Sequence, residues 1–437
     1  MVQLTDEEKR MLQGEEGHVR QVCMQQLVEL CEIAGAERLV DLDGTGDMHS
    51  PGVGSGMVGG SRFYPIETNE LAELAEQGAK FKIPTFANKS PGAGQTPVHG
   101  WEHCNMCNRR GLRIDDQTVH DAAMQEDIHK ILRKMGLVTT YSCANYLTMT
   151  VWPSIGQHCS WFESSQMPYC NATLGARTNF DGCFATCFLG KAPYYNLHVT
   201  ENRYGTVLVE TDRTIRTDME FDVYGFAIGE ACAVDVPVVT GTVKPTTSQF
   251  EKFNSAVSTG GAVHMYHMPG ITPEAPTLEF ATNGKPFKYQ VMINDTVMRA
   301  VYESLNFHTD DNVDLVYLGC PHLNIVDLMK LSWRLDGKKC KTPLWIMTAP
   351  GIYNLAVQQG YVEIFEKAGA HLMTGTCLAA MGVVPDDVRV VAVDTAKQSQ
   401  YVTGCYPDDD RRLQVCYGDT DDCVNAALTG KWSGEWR

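Results

Sequence analysis

Apolar and polar residues near the start of the chain alternate with the period of an amphipathic helix. The motif Thr5-Asp-Glu-Glu8 is a capping box, in which a threonine and a glutamate three residues later satisfy the first backbone N–H groups of a helix. Gly14 and Gly17 lie inside the pattern. We therefore expect a helix that is interrupted at these glycines and continues to about Ala34.

Short apolar runs then alternate with helical patterns through the middle of the chain. We predict strands at 37–42 and 81–86, helices at 69–78 and 119–135, a strand-rich segment at 206–223 and a helix at 250–260.

From residue 312 onward, strands and helices alternate regularly. Strands are predicted at 313–318, 344–347, 371–374 and 388–393, with helices at 325–335 and 352–367. Units of this kind form mostly parallel, doubly wound sheets. The sequence thus predicts an α/β protein of several domains, at 1–200, 201–304 and 305–437.

Three cysteines each follow a short apolar run of strand length: Cys143, Cys320 and Cys377. In open α/β sheets, ligands bind beyond the carboxyl ends of the strands. Three thiols brought there could bind one metal centre and leave a coordination position open for substrate. The alternative is coincidence among 16 cysteines, most of which we expect to be small core residues.

Composition narrows the classes of function. A chain of 437 residues with 43% hydrophobic and 20% charged residues is typical of a globular protein of two to three domains. Its net charge of −17 disfavours binding to nucleic acid or to an anionic membrane. The first residues are acidic, unlike a signal peptide, and no apolar stretch is long enough to span a bilayer. We expect a cytoplasmic protein.

Several motifs, in order along the chain, resemble the aconitase X family, the large or catalytic component of dehydratases related to aconitase. The motifs are Tyr141-Ser-Cys-Ala-Asn-Tyr146, Trp161-Phe-Glu-Ser-Ser165, Gly175-Ala-Arg-Thr-Asn179, Leu318-Gly-Cys-Pro-His322 and Asp394-Thr-Ala-Lys-Gln-Ser-Gln-Tyr401.

This resemblance implies a hydro-lyase with an aconitase-like fold that depends on iron. Cys143, Cys320 and Cys377 would hold the metal centre, either an iron–sulfur cluster of undetermined nuclearity or a mononuclear iron. Thiolates suit such centres, and an iron with an open position acts as a Lewis acid on the substrate hydroxyl.

The resemblance also implies roles for further residues, each with a plainer alternative. Arg177 and Asn179 are suited to binding a substrate carboxylate, and the alternative is that they form a surface turn. Glu163 and Ser164 would lie near the substrate, and the alternative is that they cap the start of a helix. His322 could be structural, and Lys397 could be a surface lysine. As catalytic residues we predict Glu163, Ser164 and His322; as substrate-binding residues we predict His49, Asn88, Arg177, Asn179 and Lys397.

In the superfamily the general base is a serine on a small swivelling domain, which we expect on a separate partner subunit. The substrate implied is a small hydroxy acid. The absence of a basic cluster favours cis-3-hydroxy-L-proline, and mevalonate 5-phosphate is the alternative.

Two features fit the family less well. In the glycine-rich loop that begins at Asp43, the family usually has a Ser-Ala-His segment, of which this chain matches mainly His49. The Cys104-x-x-Cys107 motif lies in an insertion that is unlike the family. A non-catalytic metal-binding or redox-sensing protein that uses this motif is therefore a further alternative. The GxGxxG match at 54–59 lacks a following helix, which disfavours nucleotide binding.

Overall fold

The computed structural model describes residues 2–48, 66–88, 126–148, 151–375, 387–403 and 412–437. The predictions for His49, Cys377, the Cys104-x-x-Cys107 motif and the glycines at 54–59 lie outside these residues.

The interrupted first helix is confirmed. Helix α1 (Asp6–Leu12) begins at the Thr5 capping box, and α2 (His18–Ala34) ends at Gly35, which has a left-handed conformation. Between them Gly14 and Gly17 have φ of 83° and 95°, a region that favours glycine.

Thirteen strands lie in the described part of the chain. They are β1 (Leu39–Asp41), β2 (Gly46–Met48), β3 (Thr85–Ala87), β4 (Leu137–Thr139), β5 (Lys191–Pro193), β6 (Val207–Glu210), β7 (Pro237–Val239), β8 (Tyr289–Met292), β9 (Leu315–Leu323), β10 (Leu344–Thr348), β11 (Ala370–Thr374), β12 (Val390–Val393) and β13 (Gln414–Tyr417).

The remaining labelled helices pack around these strands. They are α3 (Thr68–Glu76), α4 (Phe184–Leu189), α5 (Asp218–Cys232), α6 (Thr247–Gly261), α7 (Leu278–Thr282), α8 (Asp295–Leu305), α9 (Ile325–Leu335), α10 (Pro350–Gln358), α11 (Tyr361–Ala368), α12 (Ala396–Val402) and α13 (Thr420–Thr429). Residues 126–134 are also helical.

The strands form four sheets, and three of these are parallel. β2-β3-β4 and β7-β6-β8 are three-stranded, β11-β10-β9-β12-β13 is five-stranded, and β1 pairs with β5 in antiparallel fashion. The predicted alternation after residue 312 is confirmed, except that the expected helix at 352–367 is divided into α10 and α11 at Gly360, which has φ of 75°.

The prediction that 206–223 is strand-rich is wrong in its second half. Only β6 is a strand, and α5 begins at Asp218 after a capping box formed by Thr217 and Glu220. Its aromatic and β-branched residues are buried because α5 packs closely on α6, with Gly225 near the carbonyl oxygen of Phe253. A fully buried helix and a strand share this apolar pattern.

Among the described residues, no helix combines the length and apolar character needed to cross a membrane. Of the cysteines expected to be core residues, Cys23, Cys31, Cys170 and Cys187 are buried among apolar side chains, and Cys183 is half-buried.

Candidate active site at the carboxyl ends of two parallel sheets

The carboxyl ends of two parallel sheets supply the polar residues of one site. In β2-β3-β4, Asp47 lies in β2, Asn88 follows β3 and Cys143 follows β4. In the five-stranded sheet, Cys320 lies in β9 and Lys397 follows β12. Because parallel strands end at the same edge of a sheet, residues far apart in the chain become neighbours.

A local irregularity in β9 carries two of the predicted residues out of the sheet. Leu318 pairs with Ile346 and Leu323 pairs with Thr348, so residues 319–322 lie opposite Met347 alone. Gly319 makes this possible, because its φ is 106° and a Cβ there would lie 2.3 Å from the Met347 carbonyl oxygen.

Side chains join this bulge to neighbouring segments. The ring nitrogen Nδ1 of His322 lies 3.1 Å from Ser142 Oγ, which connects the bulge to the loop that carries Cys143. Thr395 Oγ1 donates a hydrogen bond of 2.8 Å to the Cys320 carbonyl oxygen. The loops that carry Cys143, Cys320 and Lys397 therefore form one connected unit.

Lys397 lies at the centre of the site. It is only 3% exposed, and its Nζ donates to Ser164 Oγ at 3.1 Å and lies 3.9 Å from Glu163 Oε2. Burial alone would lower the pKa of Lys397, but the electrostatic influence of Glu163, Cys320 and Cys143 outweighs it and raises the pKa. The lysine is thus an ammonium ion, and the alternative of a surface lysine is wrong.

A carboxyl group that the sequence analysis missed, that of Asp47, lies close enough to Glu163 to feel its charge. Asp47 is fully buried and accepts hydrogen bonds from Asn88 Nδ2 at 3.2 Å and from Asn145 Nδ2. Burial, followed by the charge of Glu163, raises the pKa of Asp47 well above its usual range. The available signal was Asn145, which lies two residues after Cys143 in a motif already singled out.

Arg177 and Asn179 make their contacts elsewhere. Arg177 Nη1 donates to the His198 carbonyl oxygen and to Thr200 Oγ1, both at 2.9 Å. Asn179 donates to the Tyr195 carbonyl oxygen at 3.1 Å and accepts from the Leu197 N–H at 3.2 Å. Both side chains hold one loop in place in this structure, and their binding of substrate stays a prediction.

Buried polar atoms near Cys143 lack partners among the described residues: Tyr146 Oη, Ser165 Oγ and Gln166 Oε1. Gln166 also donates from Nε2 to the Cys143 carbonyl oxygen at 2.8 Å. An unsatisfied buried polar group costs about 1–3 kcal/mol, so such a concentration is typical of a wall that meets a ligand.

The residues present fit an iron centre in their chemistry. The contact of 3.1 Å between His322 Nδ1 and Ser142 Oγ brings the segments that carry Cys320 and Cys143 to the same site. Within the described residues, no three or more His, Cys, Asp or Glu side chains gather to hold a metal. Of the three predicted ligands, Cys377 is the one that falls outside those residues.

The fold and the site together define an α/β protein with thiols, a buried ammonium ion and carboxylates at the carboxyl ends of two parallel sheets. Models of the aconitase X first, second and third domains match residues 1–201, 205–303 and 313–429. The chain belongs to the aconitase X family. The predicted family, the aconitase-like α/β fold and the hydro-lyase class are confirmed.

Curated relatives have two different names. The phosphomevalonate dehydratase large subunit of Methanocaldococcus jannaschii is 28% identical over 96% of this chain and 99% of its own length. That of Methanothermobacter thermautotrophicus is 30% identical over 92% and 94%. The cis-3-hydroxy-L-proline dehydratase of Hypocrea jecorina is 28% identical over 98% of this chain and 69% of its own length.

A solved structure supports the same fold. The crystal structure of Thermococcus kodakaraensis aconitase X in its holo-form superimposes with a TM-score of 0.76 at 27% identity. The superposition covers 98% of this chain and 100% of that one.

Proposed function

We propose that this protein is the large subunit of a dehydratase that removes water from a small hydroxy acid at the Lys397 site. The observation that carries the proposal is the buried Lys397 ammonium ion, which lies between Ser164, Glu163 and the two cysteines. An ammonium ion with an adjacent hydroxyl suits a carboxylate, and its burial excludes competing water.

Cys143, Cys320 and Cys377 would hold the iron centre, as an iron–sulfur cluster or as a single iron. When bound, it would supply Lewis acidity that eases departure of the substrate hydroxyl. We assign to His322, whose Nδ1 lies 3.1 Å from Ser142 Oγ, the donation of a proton to the departing hydroxyl.

The charges around Lys397 favour cis-3-hydroxy-L-proline as substrate. This molecule carries a carboxylate and a ring ammonium group, whereas mevalonate 5-phosphate carries a carboxylate and a phosphate. Glu163 Oε2 lies 3.9 Å from Lys397 Nζ. An ammonium group beside Glu163 gains attraction, and a phosphate there would be repelled.

Mevalonate 5-phosphate is the second candidate. The relatives from Methanocaldococcus jannaschii and Methanothermobacter thermautotrophicus are both named phosphomevalonate dehydratase large subunits. Their names also support a small partner subunit, to which we assign the general-base serine. We propose a cytoplasmic location, in keeping with the acidic composition.

The test is turnover by the iron-reconstituted protein together with a small subunit encoded in the same organism. We expect loss of water from cis-3-hydroxy-L-proline, and we expect Glu163→Gln to raise its KM because the amide no longer attracts the ammonium group. If mevalonate 5-phosphate is turned over faster than cis-3-hydroxy-L-proline, and if Glu163→Gln does not raise the KM, mevalonate 5-phosphate becomes the preferred substrate. Absence of turnover with either compound would contradict the proposed reaction.

A further inference from the structure

A buried carboxylate outside the active site holds the segment that carries Lys397. Asp222 lies in α5 and is fully buried. Its Oδ2 accepts a hydrogen bond of 2.6 Å from the Ala396 N–H and one of 2.7 Å from the Tyr417 hydroxyl. Its Oδ1 has no hydrogen-bond partner among the described residues.

The groups that face Asp222 come from three other parts of the chain. Lys252 of α6 donates from Nζ to the Asp394 carbonyl oxygen at 2.8 Å and to Asp394 Oδ2 at 3.0 Å. Asp394 also accepts from Thr420 Oγ1 at 2.7 Å, and Tyr417 lies at the end of β13.

These surroundings move the titration of Asp222 from the acidic range towards neutral pH. Burial raises the pKa of Asp222 to about 7, with Asp394 acting in the same direction. Lys252, the Tyr417 hydroxyl and the Ala396 N–H act in the opposite direction and do not restore the ordinary value.

The held segment connects directly to the active site on both sides of Ala396. Thr395 Oγ1 donates to the Cys320 carbonyl oxygen at 2.8 Å, and Lys397 Nζ donates to Ser164 Oγ at 3.1 Å. A shift of the backbone at Ala396 would therefore displace two groups together. One is the Thr395 hydroxyl, which binds the backbone of the predicted metal ligand Cys320, and the other is the Lys397 ammonium ion.

We propose that Asp222 is a positioning residue, whose ionised carboxylate holds the Ala396 N–H and thereby fixes Lys397 and the Cys320 backbone for catalysis. A hydrogen bond to a charged acceptor is about twice as strong as one between neutral groups, so protonation of Asp222 weakens its hold on the Ala396 N–H. This is a local release of the segment in which Asp222 stays buried in α5, and it is distinct from global unfolding, which exposes Asp222 to water. That Asp222 holds the segment is argued from the contacts alone. That this holding serves catalysis rests on the proposed function.

Hydrogen exchange measured by mass spectrometry tests, without substrate, whether Asp222 holds the segment. We expect the peptide that spans residues 394–402 to be several-fold more protected at about pH 8 than at about pH 6, after correction for intrinsic exchange. Asp222→Asn should abolish this pH dependence. Tyr417→Phe removes a donor that favours the ionised form, so its transition should move to higher pH.

Asp235→Asn is the matched control, because it makes the same chemical change at an Asp that pairs with Lys288 on the surface of the same region. It should leave the protection unchanged. Equal pH dependence in wild type and Asp222→Asn would overturn the proposal, and an unshifted transition in Tyr417→Phe would do so even if Asp222→Asn failed to fold.

Thermal unfolding checks the ionisation independently. The folded-state pKa of about 7 lies above the ordinary value of 3.8, so the bound proton stabilises the fold at low pH and this contribution is lost as pH rises through 7. The Tm of Asp222→Asn minus that of wild type should accordingly increase from about pH 5 to about pH 8. A constant difference would contradict the assigned ionisation.

With an active enzyme, the pH profile of kcat/KM should lose its acidic limb near pH 7 in Asp222→Asn. A failed turnover assay would leave the exchange result intact, so the two proposals fail separately.

Discussion

A buried lysine remains charged only where anions and hydrogen-bond acceptors offset its lost hydration. Lys397 meets this condition through Ser164, Glu163 and the two cysteines. The sequence was sufficient to predict these residues, because each lies in a motif that resembles the family. Asp47 was not predictable in the same way, since its role depends on pairing with β3 and on amides from two distant segments.

The substitution Lys397→Met should remove substrate binding rather than the fold. Loss of one charged hydrogen-bond partner in a buried site costs about 2–5 kcal/mol, so kcat/KM should fall by roughly 30-fold to several thousand-fold, with a raised KM. Steady-state kinetics provide the measurement. Lys288→Met is the control, because that lysine pairs with Asp235 at an exposed site; an equal loss in both variants would contradict the assignment.

At the level of elements, the irregular strand β9 is the feature that positions Cys320 and His322. Strand and helix positions after residue 312 were predictable from the alternation of short apolar runs with helical patterns. The break between α1 and α2 was predictable from Gly14 and Gly17. The bulge was not, because residues 319–322 read as the end of an apolar strand and their displacement depends on Met347 of β10. The apolar pattern also gave a wrong prediction of strand at the start of α5, because this helix is buried on all sides by tertiary packing.

Gly319→Ala should destabilise the bulge. Its added methyl group would lie 2.3 Å from the Met347 carbonyl oxygen at a φ of 106°, so we expect a loss of about 2 kcal/mol or more in the free energy of unfolding. Gly337→Ala is the matched control, since that glycine has φ of 69° and no atom within 4 Å of an added Cβ. Denaturant titration measures both, and equal losses would contradict the role of the contact with Met347.

At the level of the whole molecule, contacts between distant parts of the chain assemble the candidate site. The N-terminal part contributes Cys143, Glu163 and Ser164, and the C-terminal part contributes Cys320 and Lys397. The middle part contributes Asp222, which fixes the segment that carries Lys397. Sequence reasoning predicted the first two contributions from motifs. It could not predict the third, because α5 lies outside the motifs that resemble the family and Asp222 gains its contacts only when three segments meet.

Iron and acid-labile sulfide per chain, after anaerobic purification and reconstitution, test the central claim most directly. The account predicts bound iron in the wild-type protein and its loss in Cys143→Ser, Cys320→Ser and Cys377→Ser. Cys340→Ser, a matched change at a half-buried cysteine of the C-terminal part, should retain it. Sulfide alongside the iron would indicate a cluster, and iron alone a mononuclear centre. Equal iron content in all five proteins, or zinc in place of iron, would contradict the account.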